Sequence, residues 1–416
     1  MDSTDDTMDS CTDTKKRRME ESTPSKKDAT TNQISFDTLN STQLTKIFSM
    51  VELKELAALG STCKKFNRIA RKVFAAKHQS QLIEIYGNGP LVKVATILRC
   101  FQNQFTRLAI FYANKPKVNV KIDVLINKYC RQMLNELQLS DVGLYSSARS
   151  FIFPFRNVMQ LIIRSGLLSG KLDDIATSFP NVMSIVLHAG VQPGGEKDNT
   201  AIPTLQHLSI SFDPNVELDA FKTTLMTSNP QLTSLIIDYS DDAPIGHLLL
   251  IRDSLPNLQR LTLRVKTVFV DKEPFKPLLF KNLRFLTISY TVSNVLRNFV
   301  ITSTFPFELL DLSIEGGIID GHCVEFLKRH QAKHLQLTLS KVNNQQIEKL
   351  IPVLSSVSHV NFVIHKEFSV TRSGLMHFVS QCKNLEYVRI QQPNMLSLPP
   401  IVITCIGINE SLWNKD

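Results

Sequence analysis

One short pattern recurs along most of this chain and constrains its fold more than any other feature. An apolar-x-apolar triplet, usually with another apolar residue three positions earlier, occurs 13 times after residue 80 of the 416 residues. Successive triplets are 23 to 29 residues apart, with a mean of about 25. The last apolar residue of each falls at Ile85, Ile110, Leu139, Ile163, Leu187, Ile210, Ile237, Leu263, Ile288, Ile314, Leu339, Ile364 and Ile390. A period of this length is typical of a repeat architecture.

The segments between the triplets have helical spacing, as in Val324, Phe326 and Leu327. A strand and a helix in every repeat predict one long parallel sheet with helices on its other side. Because a single repeat cannot bury its apolar face alone, neighbouring repeats must stack into a solenoid. Proline precedes four of the triplets, where it ends a helix and is tolerated at a strand entry.

A compact helical unit is predicted before the repeats, over residues 35–80. Asn40 and Gln43 have the spacing of a capping box, and Leu39 and Leu44 that of a hydrophobic staple. Three stretches of helical apolar spacing follow, and the third carries a basic outer face. Of the net charge of +9 in the whole chain, +5 lies in this unit.

Residues 39–70 of this unit resemble the F-box. The match in order and spacing covers Leu39, Leu44, Ile47, Phe48, Leu53, Leu56, Cys63, Lys64 and Phe66. Asn40 stands where the family usually has proline, Thr42 where an acidic residue is common, and Phe66 where tryptophan is usual. The resemblance places Cys63 in the core of the unit.

The repeats that follow resemble the leucine-rich repeat over about 300 residues. In the twelve copies from Ile110 to Ile390, the position three after the last strand residue, often asparagine or cysteine in that family, is neither. The expected fold is therefore α/β: a three-helix F-box at 35–80, then a right-handed solenoid of about 13 strand-helix repeats over 81–416, with a C-terminal cap.

An F-box followed by leucine-rich repeats resembles the substrate receptors of Skp–cullin–F-box (SCF) ubiquitin ligases. The resemblance implies a non-catalytic subunit whose partners are the Skp adaptor, through it a cullin, and an unknown protein substrate. It implies adaptor contacts by Leu39, Leu44, Ile47, Phe48, Leu53, Leu56 and Phe66. Two alternatives stay open: a repeat scaffold whose N-terminal unit is only a cap, and a nuclear protein associated with nucleic acid.

Substrate would bind the concave face of the sheet, where the alternate residues of each strand point. The densest charge on that face lies between residues 238 and 315, and Phe285 adds an aromatic ring there. We therefore expect substrate contacts from Asp238, Arg260, Arg264, Phe285, Asp311 and Glu315. The competing interpretation is that Asp238 and Arg264, on adjacent strands, simply pair with each other.

The sequence contains no nucleotide-loop, zinc-protease, nucleophile-elbow or EF-hand motif. His330 and His334 have zinc-finger spacing, but upstream His322 and Cys323 do not complete that pattern. We expect no catalytic residue, cofactor or metal. The seven scattered cysteines predict reduced thiols, and no apolar run approaches the ~20 residues that span a bilayer. A membrane partner is therefore not expected, and a net charge of +9 is too mild to indicate nucleic acid.

Residues 1–34 hold few residues that could form a core, so this segment is predicted to be a disordered tail. It contains the run Lys15, Lys16, Arg17 and Arg18, which has the form of a nuclear-localisation patch. The alternative is a solvated charge run. The expected location is the nucleus, the cytoplasm or both.

Overall fold

The computed structural model describes residues 39–112, 116–140, 142–143, 154–168, 172–193, 201–212, 225–239, 245–265, 278–290, 300–314, 319–393 and 401–404. The predicted tail and its basic run therefore lie outside the described residues. The helices are α1 Ser41–Met50, α2 Leu53–Gly60, α3 Lys64–Lys77, α4 Leu91–Cys100, α5 Pro116–Tyr129, α6 Leu172–Ser178, α7 Ile245–Ser254, α8 Gly321–Arg329, α9 Asn344–Glu348 and α10 Arg372–Gln381, with a 3-10 turn at Ile351–Val353. None of these helices is long and apolar enough to cross a membrane.

The strands alternate with the helices after residue 80. They are β1 Ile83–Tyr86, β2 Arg107–Phe111, β3 Glu136–Ser140, β4 Val142–Gly143, β5 Gln160–Leu168, β6 Ser184–Pro193, β7 His207–Phe212, β8 Ser234–Tyr239, β9 Arg260–Val265, β10 Leu278–Phe280, β11 Phe285–Tyr290, β12 Ile301–Ser303, β13 Phe307–Ile314, β14 Ala332–Asn343, β15 His359–Ser369, β16 Tyr387–Gln391 and β17 Ile401–Thr404.

One long sheet forms the spine of the molecule. Its order is β1-β2-β3-β5-β6-β7-β8-β9-β11-β13-β14-β15-β16, and all 13 of these strands run parallel. β17 closes the far end in the antiparallel sense. The predicted 13 strand positions are confirmed. Among the described residues, the helices named above lie in seven of the twelve connections, and the β9–β11 and β11–β13 connections contain the short strands β10 and β12. The architecture is consistent with a leucine-rich-repeat solenoid.

The strand register corrects the predicted phase of three repeats. Ile288 pairs with Leu312, two residues before the expected Ile314. The same shift applies to Leu337 and Phe362, and Phe362 then pairs with the expected Ile390. The cause is a third buried residue in these strands. Three alternate apolar residues contain two possible apolar-x-apolar triplets, and the sequence does not show which one pairs with the neighbouring strand. In β11 that third residue is Tyr290, whose ring is buried although its residue type does not signal it.

Asparagine side chains tie neighbouring repeats together just before the strands. Each stands one residue before a buried apolar residue, and its amide donates to a backbone carbonyl of the preceding repeat. The donors are Asn157, Asn181, Asn257, Asn282 and Asn384. At Asn181, Asn257 and Asn282 the distances are 2.7, 3.3 and 2.9 Å. The leucine-rich-repeat pattern predicts asparagine after the strand, so these asparagines before the strand were not predicted.

The three N-terminal helices form the predicted compact unit. The Gln43 amide donates to Asn40 Oδ1 at 2.9 Å, and the Asn40 amide donates to Gln43 Oε1 at 3.1 Å, so the capping box is confirmed. The expectation that Cys63 is a core residue is wrong. Cys63 is exposed, and its Sγ accepts from the Phe66 amide at 3.5 Å as the N-cap of α3.

His330 is a structural histidine between two repeats. Its Nδ1 lies 2.7 Å from the Phe326 carbonyl, and its Nε2 accepts from the Ile301 amide at 3.1 Å. With both ring nitrogens engaged, it has none free for a metal. The described residues contain no group of three or more His, Cys, Asp or Glu side chains that could hold a metal ion.

We predict that His330 makes the fold sensitive to acid. Burial lowers its pKa from 6.5 to about 4. Because the unfolded chain then binds a proton more readily, stability present above pH 6.5 is lost as the pH falls towards 4. At about 1.4 kcal/mol per pKa unit, the free energy of unfolding should fall by ~2 kcal/mol between pH 7 and 5 on this account. Urea unfolding of wild type and His330→Gln at both pH values measures it, and an equal decrease in both proteins would contradict the assignment.

Candidate protein-interaction surfaces

The helical unit shares one core with the first repeat. Leu44, Phe48 and Leu56 are fully buried, and Phe66 nearly so. The ring of Phe74 stacks on Phe101 of the first repeat at 4.4 Å. Leu44 and Phe48 of the expected adaptor contacts are therefore inside the protein, and the Phe48 ring meets Phe66 edge to face at 5.3 Å. Ile47 of the same set is exposed, and which of these residues contact an adaptor stays a prediction.

The apolar residues that remain on the outside of the unit lie around the α1–α2 junction. Ile47 is 36% exposed and Met50 is 84% exposed, one helical turn apart. Val51 and Leu53, within three residues after Met50, are half-buried. We call Ile47, Met50, Val51 and Leu53 the junction patch. It retains Ile47 and Leu53 of the expected adaptor contacts and adds Met50, which lies off the predicted core face of α1. Leu39 lies at the opposite end of α1, where its carbonyl accepts from Lys65 Nζ at 3.0 Å.

A basic cleft separates α3 from α4. It has a volume of about 930 Å³. Five cationic side chains line it, and the described residues of its wall include no carboxylate and no aromatic ring. The cations are Lys64, Arg68, Arg71, Lys72 and Arg99. Without rings on which bases could stack, the cleft gives no specific support to a nucleic-acid partner.

The concave face of the sheet consists of three rows of side chains between the buried ones. In each strand, the first row is the residue before the first main buried residue, and the middle row is the residue between the two main buried ones. The last row is the residue that follows the second. In β8 to β11 the burial alternates strictly, with Leu261 and Leu263 inside and Thr262 half-buried outside. Alternation therefore places the predicted concave residues outside, as expected.

Four of the expected substrate contacts lie on adjacent strands of this face. The Arg260 guanidinium lies 3.9 Å from the centroid of the Phe285 ring and covers it. Arg264 Nη1 lies 3.7 Å from Asp238 Oδ2, with side chains 58% and 38% exposed. The pairing of Asp238 with Arg264 that the sequence left open is thus present. Exposed ion pairs stabilise by only ~0–1 kcal/mol, so a partner could still recruit either charge.

The position of Asp311 differs from the one expected. The sequence placed it in the first row beside Phe285, but the two-residue phase shift places it in the middle row, paired with Thr287 and Gln336. Leu309 occupies the first-row position next to Phe285. Glu315, expected in the last row after Arg264, lies outside the described residues, and the register places Ser313 in that row beside Ser289.

The charges of the first repeats are paired within the protein. Arg107 makes a two-pronged contact with Glu136, with distances of 2.7 and 3.3 Å. Gln138 donates to Glu136 at 2.7 Å and accepts from Arg164 at 3.0 Å. Hydrogen bonds from Arg107 and Gln138 lower the pKa of Glu136 against the opposing effect of burial, which is the largest single influence. This network stabilises the sheet and leaves these charged groups already satisfied.

A different surface spans β11 to β16, which we call the C-terminal groove. Its wall is the first row of side chains: Phe285, Leu309, His334, His359 and Tyr387. Its floor is the middle row: Thr287, Asp311, Gln336, Asn361 and Arg389. The His334 and His359 rings meet edge to face at 4.5 Å, and His359 lies 5.7 Å from Tyr387. This wall was not predicted, because the predicted register of β13, β14 and β15 was two residues from the observed one.

Comparisons with known proteins give little beyond this geometry. No protein-family model matches the chain, and no curated protein matches it. Among solved structures, the chain is similar to the leucine-rich repeat-containing protein LegL7 from Legionella pneumophila, at a TM-score of 0.34 and 10% sequence identity. That alignment covers 75% of this chain and 93% of LegL7. The class of this chain, an α/β repeat solenoid, follows from its own register and burial.

We predict that Arg264→Glu leaves the fold intact. The variant loses an exposed ion pair and gains repulsion with Asp238, which together should lower the free energy of unfolding by about 1 kcal/mol or less. Chemical denaturation measures this change, with Arg264→Gln as the control that removes the pair without adding repulsion. A loss of several kcal/mol would show that Arg264 is structural and is not available for recognition.

Proposed function

We propose that this protein is the substrate-recognition subunit of an SCF ubiquitin ligase. In this proposal the helical unit is an F-box that binds the Skp adaptor and through it the cullin, and the concave face of the repeats binds a protein substrate. The chain performs no bond chemistry. It holds a substrate lysine close to the charged ubiquitin carrier and so raises its effective concentration.

The observation that carries the proposal is an exposed apolar patch on a helical unit that is otherwise well packed. The match to the F-box runs through residues 39–70, and Leu44, Phe48 and Leu56 of that match are already buried within the protein. Met50 at 84% exposure and Ile47 at 36% lie beside the half-buried Val51 and Leu53 at the α1–α2 junction. Exposed apolar side chains grouped in this way favour a protein partner. We therefore propose the junction patch as the adaptor contact.

The repeats support the second half of the proposal. An extended concave surface is the usual binding surface of a solenoid. Here it carries an arginine stacked on a phenylalanine and a wall of aromatic and histidine rings. Arginine and aromatic residues are enriched among the side chains that dominate binding energy at interfaces.

We predict that Ile47→Lys combined with Met50→Lys abolishes adaptor binding while the protein stays folded. Both side chains point outward, and surface substitutions usually change stability by about 0.5 kcal/mol or less. Interface anchors contribute ~2 kcal/mol or more each, so the loss of two should lower the affinity about a thousandfold. Co-elution of the purified chain with the Skp adaptor on size exclusion, followed by calorimetric titration, measures the effect.

Leu44→Ala combined with Phe48→Ala is the matched control on the inner face of the same helix. Each truncation leaves a cavity and should cost about 2–5 kcal/mol of stability. Any loss of adaptor binding should therefore accompany unfolding of the unit. Wild-type protein that does not co-elute with the adaptor would overturn the proposed function. Full adaptor binding by the double lysine variant would instead show that the junction patch is not the adaptor contact.

The second candidate is a repeat-based interaction scaffold without a ligase role. The packing of α1 to α3 against the first repeat favours it, because a helical unit is also a suitable cap for an exposed solenoid end. The adaptor experiment separates the two functions. A scaffold would bind a partner through the concave face and ignore the adaptor.

We further propose that the protein enters the nucleus through Lys15, Lys16, Arg17 and Arg18. Changing all four residues to alanine should move a fluorescent fusion from the nucleus towards the cytoplasm, as measured by imaging. The matched control replaces Lys26 and Lys27, which lie in the same segment. A wild-type fusion that is excluded from the nucleus would leave the run as a solvated charge cluster.

A further inference from the structure

The C-terminal groove contains a carboxylate whose binding capacity the described residues do not fill. Asp311 lies in the floor between the buried Leu310 and Leu312. Its Oδ1 is shielded from solvent and accepts no hydrogen bond from the described residues. Burial raises the pKa of Asp311, and hydrogen bonding to the neighbouring Gln336 opposes that rise. A desolvated carboxylate in this state is stabilised by a cation or a donor brought to it.

Two other carboxylates on the concave face have cationic partners. Glu136 has Arg107 at 2.7 Å, and Asp238 has Arg264 at 3.7 Å. The register surrounds Asp311 with Thr287, Gln336, Leu309 and Ser313, none of which is cationic. Of these three acids, Asp311 alone has no cationic partner among the described residues, so a cation from a ligand can pair with it.

The groove also offers partners for a peptide backbone. Asn361 Nδ2 donates to Gln336 Oε1 at 2.7 Å, and Asn361 Oδ1 is shielded from solvent without a donor among the described residues. Side-chain amides in a row can both donate to and accept from backbone groups of an extended segment. At the far end of the floor, Arg389 forms no ion pair with a described carboxylate, and its guanidinium contacts the side-chain amide of Gln391.

The wall of the groove consists of four rings and one aliphatic side chain. Burial, and after it the neighbouring His359, lower the pKa of His334, which favours its neutral form. The His334 ring extends the surface from Leu309 towards His359 and Tyr387. Four strand intervals of ~4.8 Å give this wall a length of about 19 Å, which an extended chain spans with about six residues. The last row, on the other side of the floor, has short side chains: Ser289, Ser313 and Thr338.

We infer that the C-terminal groove binds an extended peptide segment of about six residues, with a lysine or arginine seated on Asp311 and an acidic residue towards Arg389. The basic side chain would lay its aliphatic stem along Phe285 and Leu309 and place its charge on Asp311. The intervening backbone would bond to Gln336 and Asn361. Only the assignment of this segment to a ubiquitination substrate rests on the proposed function.

The test uses the full chain, immobilised and exposed to degenerate octapeptide libraries with blocked ends. One library fixes a lysine at its central position, and its twin fixes norleucine there, which has the same length without the charge. We expect wild type to retain the lysine library about tenfold better. Asp311→Asn, which keeps the shape of the side chain, should retain both libraries equally. Glu136→Gln is the matched control on the same face and should behave as wild type, because Arg107 already pairs with that carboxylate.

A second variant keeps the test decisive if Asp311→Asn is poorly folded by circular dichroism. Sequencing of the peptides retained by wild type should show acidic residues on one side of the fixed lysine, and Arg389→Glu should replace them with basic ones. Equal retention of the two libraries by wild type, or an undiminished preference in folded Asp311→Asn, would overturn the inference. Lysine selection without adaptor binding would refute the ligase role alone, and adaptor binding without selection would refute the groove alone.

Discussion

Each strand of the main sheet pairs in parallel with the strand of the next repeat, and this lateral pairing holds every other part in place. A repeat of about 25 residues presents its buried row to its neighbours and has no second layer of its own. The asparagine amides add a side-chain tie across the same junctions. The N-terminal helices obey the same constraint, because Phe74 completes its packing only against Phe101 and Phe105 of the first repeat.

The same pairing decides which side chains a partner can meet. Strand alternation sends one residue of each pair inward, so a shift of two residues keeps every side chain on its face but changes its lateral neighbours. That is why Asp311 stays concave and yet meets Thr287 instead of Phe285. Binding chemistry depends on those neighbours, since Arg107 satisfies Glu136 whereas no described cation satisfies Asp311.

Periodicity predicted the strands well because the signal was repeated 13 times, and an error in one copy could not hide the others. The capping box at Asn40 was equally predictable, since it depends on two residues three apart. Sequence could not resolve frames that differ by one apolar pair, as Tyr290 and Ile314 show. Nor could it tell that Phe74 would stack on Phe101, because that contact joins segments about 27 residues apart. The basic cleft and the histidine wall likewise arise only from pairing between distant segments.

The order of the strands separates the two proposed surfaces. The junction patch lies on the unit that packs against the first repeat, and the C-terminal groove begins at β11, eight strand intervals after β1. At ~4.8 Å for each interval, β1 and β11 are about 38 Å apart along the sheet. In the proposed receptor, this stack of repeats would stand between adaptor and substrate. The effective concentration of a substrate lysine would then depend on how far the lysine lies from the segment held in the groove.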